Sequence, residues 1–225
     1  MAVTPDAILY FAAGLGTRMK PLTDQVPKPL IRVGNTTLID HAIAIGDAAG
    51  VTTRVANVHH RAGDLKRHLA GRNIAISDET DELLETGGGL RKALPLLGPG
   101  PVFTMNTDAV WRGPNPLETL RRVWDGGRMD ALLLCVPPER ASGHLGRGDF
   151  VFDPDGRIAY GSGPIYTGAQ IIAPQPLPQV PDTAFSMRVY WDALIARGTA
   201  YGLIYDGEWC DVGHPDALPL AEAIL

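Results

Sequence analysis

Apolar and polar positions along the chain fall into two alternating periods. Ala7–Phe11 is apolar throughout, as in a strand buried on both faces. Thr37–Ala49 carries Leu38, Ile39, Ala42, Ile43 and Ile45 at helical spacing, and Gly50 ends the run. Thr53–Val58 predicts a second strand, Asp64–Leu69 a short helix, and Ile74–Ser77 a third strand. Gly88–Leu96 predicts a helix up to Pro95, and Val102–Met105 a strand ending at Asn106-Thr107-Asp108. Pro116–Trp124 predicts a helix and Asp130–Val136 a strand. This βαβα rhythm implies an α/β fold: a Rossmann-like, mostly parallel (mixed) sheet with helices on both faces. Such sheets bind ligands at the carboxyl ends of their strands. Gly14, the stretch 78–86 and Asp108 all follow strands, so the fold should gather them on one edge.

The second half is less regular. Asp149–Phe152 and Arg157–Tyr160 flank Asp153-Pro154-Asp155-Gly156, a hairpin with a turn sequence. Ile165–Ile172 and Tyr201–Tyr205 predict strands, and Ala184–Ala196 a helix. The stretch 174–181 holds four prolines and predicts a rigid loop. Pro215–Leu225 predicts a terminal helix opened by its proline. No linker, repeat or low-complexity tract interrupts residues 1–225, so one domain is expected, with the second half as a small lobe over the sheet edge.

The 225 residues suffice for a sizeable core, and 45% hydrophobic with 20% charged residues is ordinary for a globular protein. A net charge of −5 argues against nonspecific nucleic-acid binding. Cys135 sits in an apolar run and Cys210 among polar residues. Two cysteines make neither a disulfide framework nor a zinc site, so a reducing cytoplasm is the expected location. No apolar stretch approaches the ~18 residues of a membrane span.

The candidate chemistry begins where the first strand ends, at Ala12-Ala13-Gly14-Leu15-Gly16-Thr17-Arg18-Met19, followed by Pro21-Leu22-Thr23 and Pro27-Lys28-Pro29. Glycines let backbone N–H groups approach anionic oxygens, and the fixed cations supply charge. No Lys follows Gly16, so this is not a Walker A loop, and Met19 breaks the dinucleotide fingerprint. A bare G-x-G is a weak signal that a tight strand-to-helix turn also explains. The full string resembles the signature of the sugar-1-phosphate nucleotidylyltransferases, and the resemblance spans nearly the whole chain.

That resemblance implies attack of a sugar 1-phosphate oxygen on the α-phosphorus of a nucleoside triphosphate, with pyrophosphate leaving. It implies Arg18 and Lys28 as catalytic cations, and Ala13, Gly14, Gly16, Thr17, Arg18 and Lys28 as a triphosphate cradle. The family's two metal carboxylates match Asp108, at a strand end, and Asp211, within Trp209-Cys210-Asp211-Val212-Gly213-His214-Pro215. They imply one Mg²⁺. Glu85, Thr86 and Gly87, in Leu84-Glu85-Thr86-Gly87-Gly88-Gly89, match the segment that lies against the nucleobase.

Members acting on hexose 1-phosphates with dTTP commonly carry a second lysine in a Glu-Lys-Pro context. Here the last lysine is Lys92, and the corresponding stretch reads Ala159-Tyr160-Gly161-Ser162-Gly163-Pro164. The compact length, Arg147-Gly148-Asp149-Phe150 and Tyr166-Thr167-Gly168 look like the N-acetylmuramate α-1-phosphate uridylyltransferases of cell-wall sugar recycling. The implied substrates are UTP and a sugar 1-phosphate, with Asn106, Gly148, Asp149 and Gly163 as sugar contacts and a monomer or weak homo-oligomer as the assembly. Guanylyl- or thymidylyltransferases and a non-catalytic nucleotide-sugar sensor are the alternatives. Thr107 stands where the family usually has Gly, and His214 where it has Thr. His59-His60 reads as loop or helix-start residues rather than a metal site.

Overall fold

The computed structural model describes residues 4–175 and 180–225. The first half supplies β1 (Ala7–Phe11), the one-turn α1 (Leu22–Gln25), the two-residue strands β2 (Arg32–Val33) and β3 (Thr36–Thr37), α2 (Leu38–Ala48), β4 (Thr53–Val58), α3 (Ala62–Leu69) and β5 (Ala75–Asp78). Next come α4 (Glu85–Leu97), β6 (Val102–Asn106), β7 (Ala109–Arg112), α5 (Pro116–Val123), β8 (Ala131–Val136) and β9 (Ala141–Ser142). The second half adds β10 (Phe150–Phe152), β11 (Ile158–Tyr160), β12 (Ile165–Ile172), α6 (Arg188–Arg197), β13 (Ala200–Ile204), β14 (Glu208–Asp211) and α7 (Leu218–Ile224).

Seven strands form one sheet in the order β13-β8-β12-β6-β1-β4-β5. β12 alone runs antiparallel to its neighbours β6 and β8; the other pairings are parallel. Alternation along β1 shows how both faces are covered. Ile8 and Tyr10 join a cluster with Ile39, Ile43, Leu65 and Leu120 from α2, α3 and α5. Ala7 and Leu9 join Leu90, Ala93, Tyr190 and Leu194 from α4 and α6 on the other side. Strands covered on both faces read as apolar runs, which is why they were legible.

A third cluster holds Met19, Ile31, Val33, Leu38, Val110, Cys210, Val212 and Ala221. It lies around the small sheet β7-β14-β9 and draws in both termini. β14 pairs antiparallel with β7, with Asp211 opposite Ala109. The sequence pattern did not indicate β7 or β14. Both are short and mixed in polarity, and each is a strand only because distant segments pair with it: β14 beside β7, and β7 and β9 on either side of β14.

Three expectations are corrected. α4 runs through Pro95 to Leu97, because the buried Leu97 holds the last turn and Gly98 N–H bonds to Leu94 O. The helix expected from Ala184 begins at Arg188, because Phe185 N–H bonds to Leu84 O and its carbonyl is taken by the start of α4. The terminal helix opens as a 3₁₀ turn, Pro215–Ala217. The expected hairpin is β10–β11, its turn held by Asp153, whose Oδ1 accepts from the N–H groups of Asp155 and Arg157. Of the expected proline-rich loop, residues 176–179 lie outside the described residues. Among the described residues no helix is long and apolar enough to cross a membrane.

Candidate active site

The ends of β1 and β6 open into a cleft of about 380 Å³. Ala13, Gly14, Lys28, Glu85, Thr86, Asn106 and Asp108 line it, so the fold brings together residues from four separate stretches of sequence. Gly16, Thr17, Arg18, Gly87 and Asp211 are not on its wall.

The loop after β1 is held by its own residues. Gly16 has φ 63°, and a Cβ there would sit 2.8 Å from Thr23 Cγ2 and 3.0 Å from Lys28 Cβ. Glycine therefore lets the loop lie against the Lys28 segment, and Thr23 Oγ1 donates to Gly16 O at 2.9 Å. Buried Met19 anchors the turn Thr17–Met19 and leaves Thr17 and Arg18 exposed. Gly14 differs from Gly16: a Cβ at this cleft position would meet no protein atom within 4 Å.

A buried relay fixes the loop's start. Asn57 Oδ1 accepts from Ala12 N–H at 2.7 Å, and Asn57 Nδ2 donates to Glu79 Oε1 at 2.8 Å. Glu79 has no exposed surface, and burial raises its pKa against the hydrogen bond from Asn57. Asn57 lines the cleft. Neither residue was singled out from sequence; a polar side chain on an otherwise apolar strand was the available signal.

The β7–β14 ladder brings Asp211 to Asp108. Val212 N–H donates to Asp108 O at 2.8 Å, and Lys28 Nζ donates to Asp108 Oδ2 at 2.6 Å. Lys28 is 9% exposed. Burial, then the Asp108 carboxylate, raises the Asp211 pKa, while Lys28, Arg18 and His144 oppose the rise. Gly213 separates Arg18 from Asp211: a Cβ there would lie 3.0 Å from Asp211 Oδ2 and 3.4 Å from Arg18 Nη1. Two carboxylates close enough that burial and then the charge of Asp108 raise Asp211 fit a divalent cation that completes its shell with phosphate oxygens and water. Among the described residues no larger cluster of metal-ligating side chains occurs. His59 Nδ1 lies 2.6 Å from Glu79 O and His60 Nε2 3.5 Å from Thr23 O, in the segment between β4 and α3.

The departures at Thr107 and His214 have local explanations. Thr107 Oγ1 donates to Phe11 O at 2.8 Å and ties the ends of β6 and β1. His214 Nε2 lies 3.1 Å from Gly143 O.

The glycines at the start of α4 serve packing. A Cβ at Gly87 would collide with the Phe185 ring, and one at Gly88 would lie 2.5 Å from Thr183 O. The N–H groups of Gly87 and Gly88 both donate to Phe185 O, at 2.8 and 3.1 Å. Gly87, expected beside a base, is thus buried and faces Phe185. Glu85 and Thr86 do line the cleft, and Glu85 adopts φ 58°, a strained conformation for a side chain of its kind. Thr86 Oγ1 accepts from Met187 N–H at 2.9 Å.

A second cleft of about 520 Å³ opens beside the first, with Ser186 on the wall of both. Gly148 and Asp149 line it together with Tyr160, Tyr166, Arg188 and Trp191, four residues that sequence reasoning had not assigned. Asp149 Oδ2 accepts from Tyr166 N–H at 2.8 Å. Gly163 is not on the wall; Gly148 at φ 112° presses directly on its backbone, so Gly163 shapes the cleft from behind. Asn106 stays with the first cleft, covered by Gly168, where a Cβ would lie 2.7 Å from Asn106 Cβ.

The profile of the MobA-like NTP transferase domain family matches residues 8–203. An N-acetylmuramate alpha-1-phosphate uridylyltransferase of Caulobacter vibrioides is 38% identical over 239 aligned positions, covering 100% of this chain and 99% of its own. A mannose-1-phosphate guanyltransferase of Neurospora crassa is 30% identical, covering 92% of this chain and 60% of its own. The inositol-1-phosphate CTP transferase structure from T. maritima superposes with a TM-score of 0.80 at 14% identity, over 100% of this chain and 98% of that one.

Proposed function

The chain belongs to the MobA-like NTP transferase family, and from that premise we propose that it joins UTP to N-acetylmuramate α-1-phosphate, forming UDP-N-acetylmuramate and pyrophosphate. Nucleotidyl transfer to a sugar phosphate is the activity of the enzyme; the base, the sugar and Mg²⁺ are the proposal. Residues 1–225 act in it as one nucleotidyltransferase domain, in the cytoplasm, in cell-wall sugar recycling. The observation that carries it is the meeting of Asp108, Asp211 and Lys28 where the nucleotide cleft ends, with a second, aromatic-walled cleft alongside.

A phosphate monoester dianion is already a nucleophile, so this chain needs no side-chain base. It needs alignment and neutralisation. Two unit charges 4 Å apart repel by about 4 kcal/mol at an effective dielectric of 20. Asp108 and Asp211 would hold Mg²⁺, which would supply positive charge to the triphosphate. Lys28 spends one of its three N–H bonds on Asp108 and offers the others to the α-phosphate oxygens. Arg18, exposed on the loop, takes the β- and γ-phosphates through its planar fork. Ala13 and Gly14 present backbone, Glu85 and Thr86 flank the base, and Gly148 and Asp149 meet the sugar.

The test is pyrophosphate release with N-acetylmuramate 1-phosphate and Mg²⁺ across UTP, dTTP, GTP, CTP and ATP. Release with UTP that requires this sugar phosphate is expected. Asp108→Asn and Asp211→Asn should each lower the rate at least about a hundredfold, as the loss of a transition-state electrostatic group does, with circular dichroism unchanged. A near-wild-type rate in either variant removes that residue from the metal site. Release only with GTP and mannose 1-phosphate would move the substrate towards that of the fungal relative. Binding without turnover across the panel would favour a nucleotide-sugar sensor.

A further inference from the structure

The second cleft carries one feature that recognition of a plain sugar does not require. Its wall is aromatic, with Tyr160, Tyr166 and Trp191 around a half-open space, and Trp191 is pinned by its indole N–H on Gln170 Oε1 at 3.0 Å. Against that wall stands a single arginine. The Arg188 guanidinium carbon lies 4.7 Å from the Tyr160 ring centroid. Tyr160 is itself fixed, because its hydroxyl donates to Asp192 Oδ1 at 2.7 Å. Arg188 shares that hydroxyl with Asp192 and forms no direct ion pair with a carboxylate among the described residues.

The Tyr160 hydroxyl accounts for only part of this cation's bonding capacity. Arg188 opens α6, the helix end where the backbone dipole disfavours positive charge. With one N–H engaged by the Tyr160 hydroxyl, the guanidinium over the ring retains further N–H groups of its five that can receive a carboxylate. Position matters as well. Ser186 lies on the wall of both clefts, and Ser186 Oγ accepts from Arg188 N–H at 3.3 Å, so the arginine stands just beyond their junction.

We propose that Arg188 is the specificity-determining residue that reads a carboxylate on the sugar, at the end of the substrate remote from its 1-phosphate. The assignment rests on the sugar-phosphate reading above and sharpens it. The substrate is a dianion at C1 and a carboxylate elsewhere, as the lactyl ether at O3 of N-acetylmuramate provides. Asp149 turns Oδ2 to the Tyr166 amide, so its other oxygen accepts from sugar hydroxyls and not from the acid.

The experiment compares N-acetylmuramate 1-phosphate with its lactyl amide, at saturating UTP, in the wild type and in Arg188→Gln. The amide keeps the shape and removes the charge. The wild type should prefer the acid by about tenfold or more in kcat/KM, the size of a charge-assisted bond, mostly through KM. Arg188→Gln should bring the two substrates within about twofold of each other, and Arg188→Lys should restore part of the gap. An unchanged KM for UTP certifies the folded nucleotide cleft. A preference retained in Arg188→Gln overturns the assignment. Equal use of acid and amide by the wild type also overturns it, while leaving the reaction standing. No turnover of the acid by the wild type overturns the substrate reading itself, and the assignment with it.

Discussion

Glycines 14 and 16 sit two residues apart in one loop and answer to different forces. Gly16 is required by the protein, since its φ is 63° and Thr23 and Lys28 crowd it. Gly14 is not required by any protein contact, yet it lines the cleft at the ends of β1 and β6, the proposed nucleotide site. A methyl group there has nothing of the protein to strike, and alanine narrows the unfolded chain's freedom. Gly14→Ala should therefore leave stability unchanged or raise it by up to about 1 kcal/mol, while the KM for the nucleoside triphosphate rises at least severalfold. Urea denaturation and steady-state kinetics on the same preparation test the pair of outcomes. A destabilised variant with an unchanged KM would make Gly14 a packing residue. The contrast marks how far residues disclose their roles. The motif around Gly14, Lys28 and Asp108 was legible because loop chemistry needs particular residue types in order. Asn57 and Glu79 were not, because their role exists only once β4, β5 and β1 lie side by side.

Elements were legible in proportion to how much of their identity is local. α2 shows its apolar stripe in sequence, and β1 its apolar run, but their fit depends on one missing side chain. Gly46 of α2 faces the Tyr10 hydroxyl so closely that a Cβ would overlap it. That hydroxyl is buried without a hydrogen-bond partner among the described residues, and burial pushes its pKa up. Gly46→Ala should force the helix from the sheet and cost about 1–3 kcal/mol, as overpacking does. Tyr10→Phe removes the obstructing oxygen without breaking a bond, so it should be close to neutral, and Gly46→Ala should cost clearly less in that background. Additive losses in the double variant would show that the helix does not bear on that hydroxyl. β7 and β14 stand at the other extreme. Glu208-Trp209-Cys210-Asp211 has no long apolar run, and its partner lies a hundred residues earlier, so no window of sequence contains the strand. Pro95 misled for a related reason: the usual helix break is overridden where the residue that ends the helix, Leu97, is buried in the core.

At the scale of the whole molecule the site is a charge balance assembled by the two ends of the chain. The N-terminal loop brings Arg18 and Lys28; β14 and α7 bring Asp211 back to Asp108 through the cluster of Met19, Val110, Val212 and Ala221. Asp108 and Asp211 repel, and Lys28 is the cation seated between that repulsion and the cleft. Its side chain is 11% exposed and that of Asp108 30%, so the pair is neither a screened surface bridge nor a wholly buried one. Losing it should cost about 1–3 kcal/mol, between those two limits. In a chain of this size each kcal/mol moves the melting temperature by about 2–4 °C. Lys28→Met, which keeps the apolar stem, should therefore melt several degrees below the wild type in chelator. On the proposed metal site, added Mg²⁺ should bind the folded form and raise both melting points, by more in Lys28→Met, where no ammonium competes for Asp108. Asp211→Asn should lose the Mg²⁺ shift and, without metal, melt no lower than the wild type, because the substitution ends the repulsion. Equal Mg²⁺ shifts in all three proteins would place the ion elsewhere and make the Lys28–Asp108 pair a structural bridge. The ordering expected here, largest in Lys28→Met and absent in Asp211→Asn, follows only if the protein's lysine and the metal draw on the charge of the same Asp108 carboxylate.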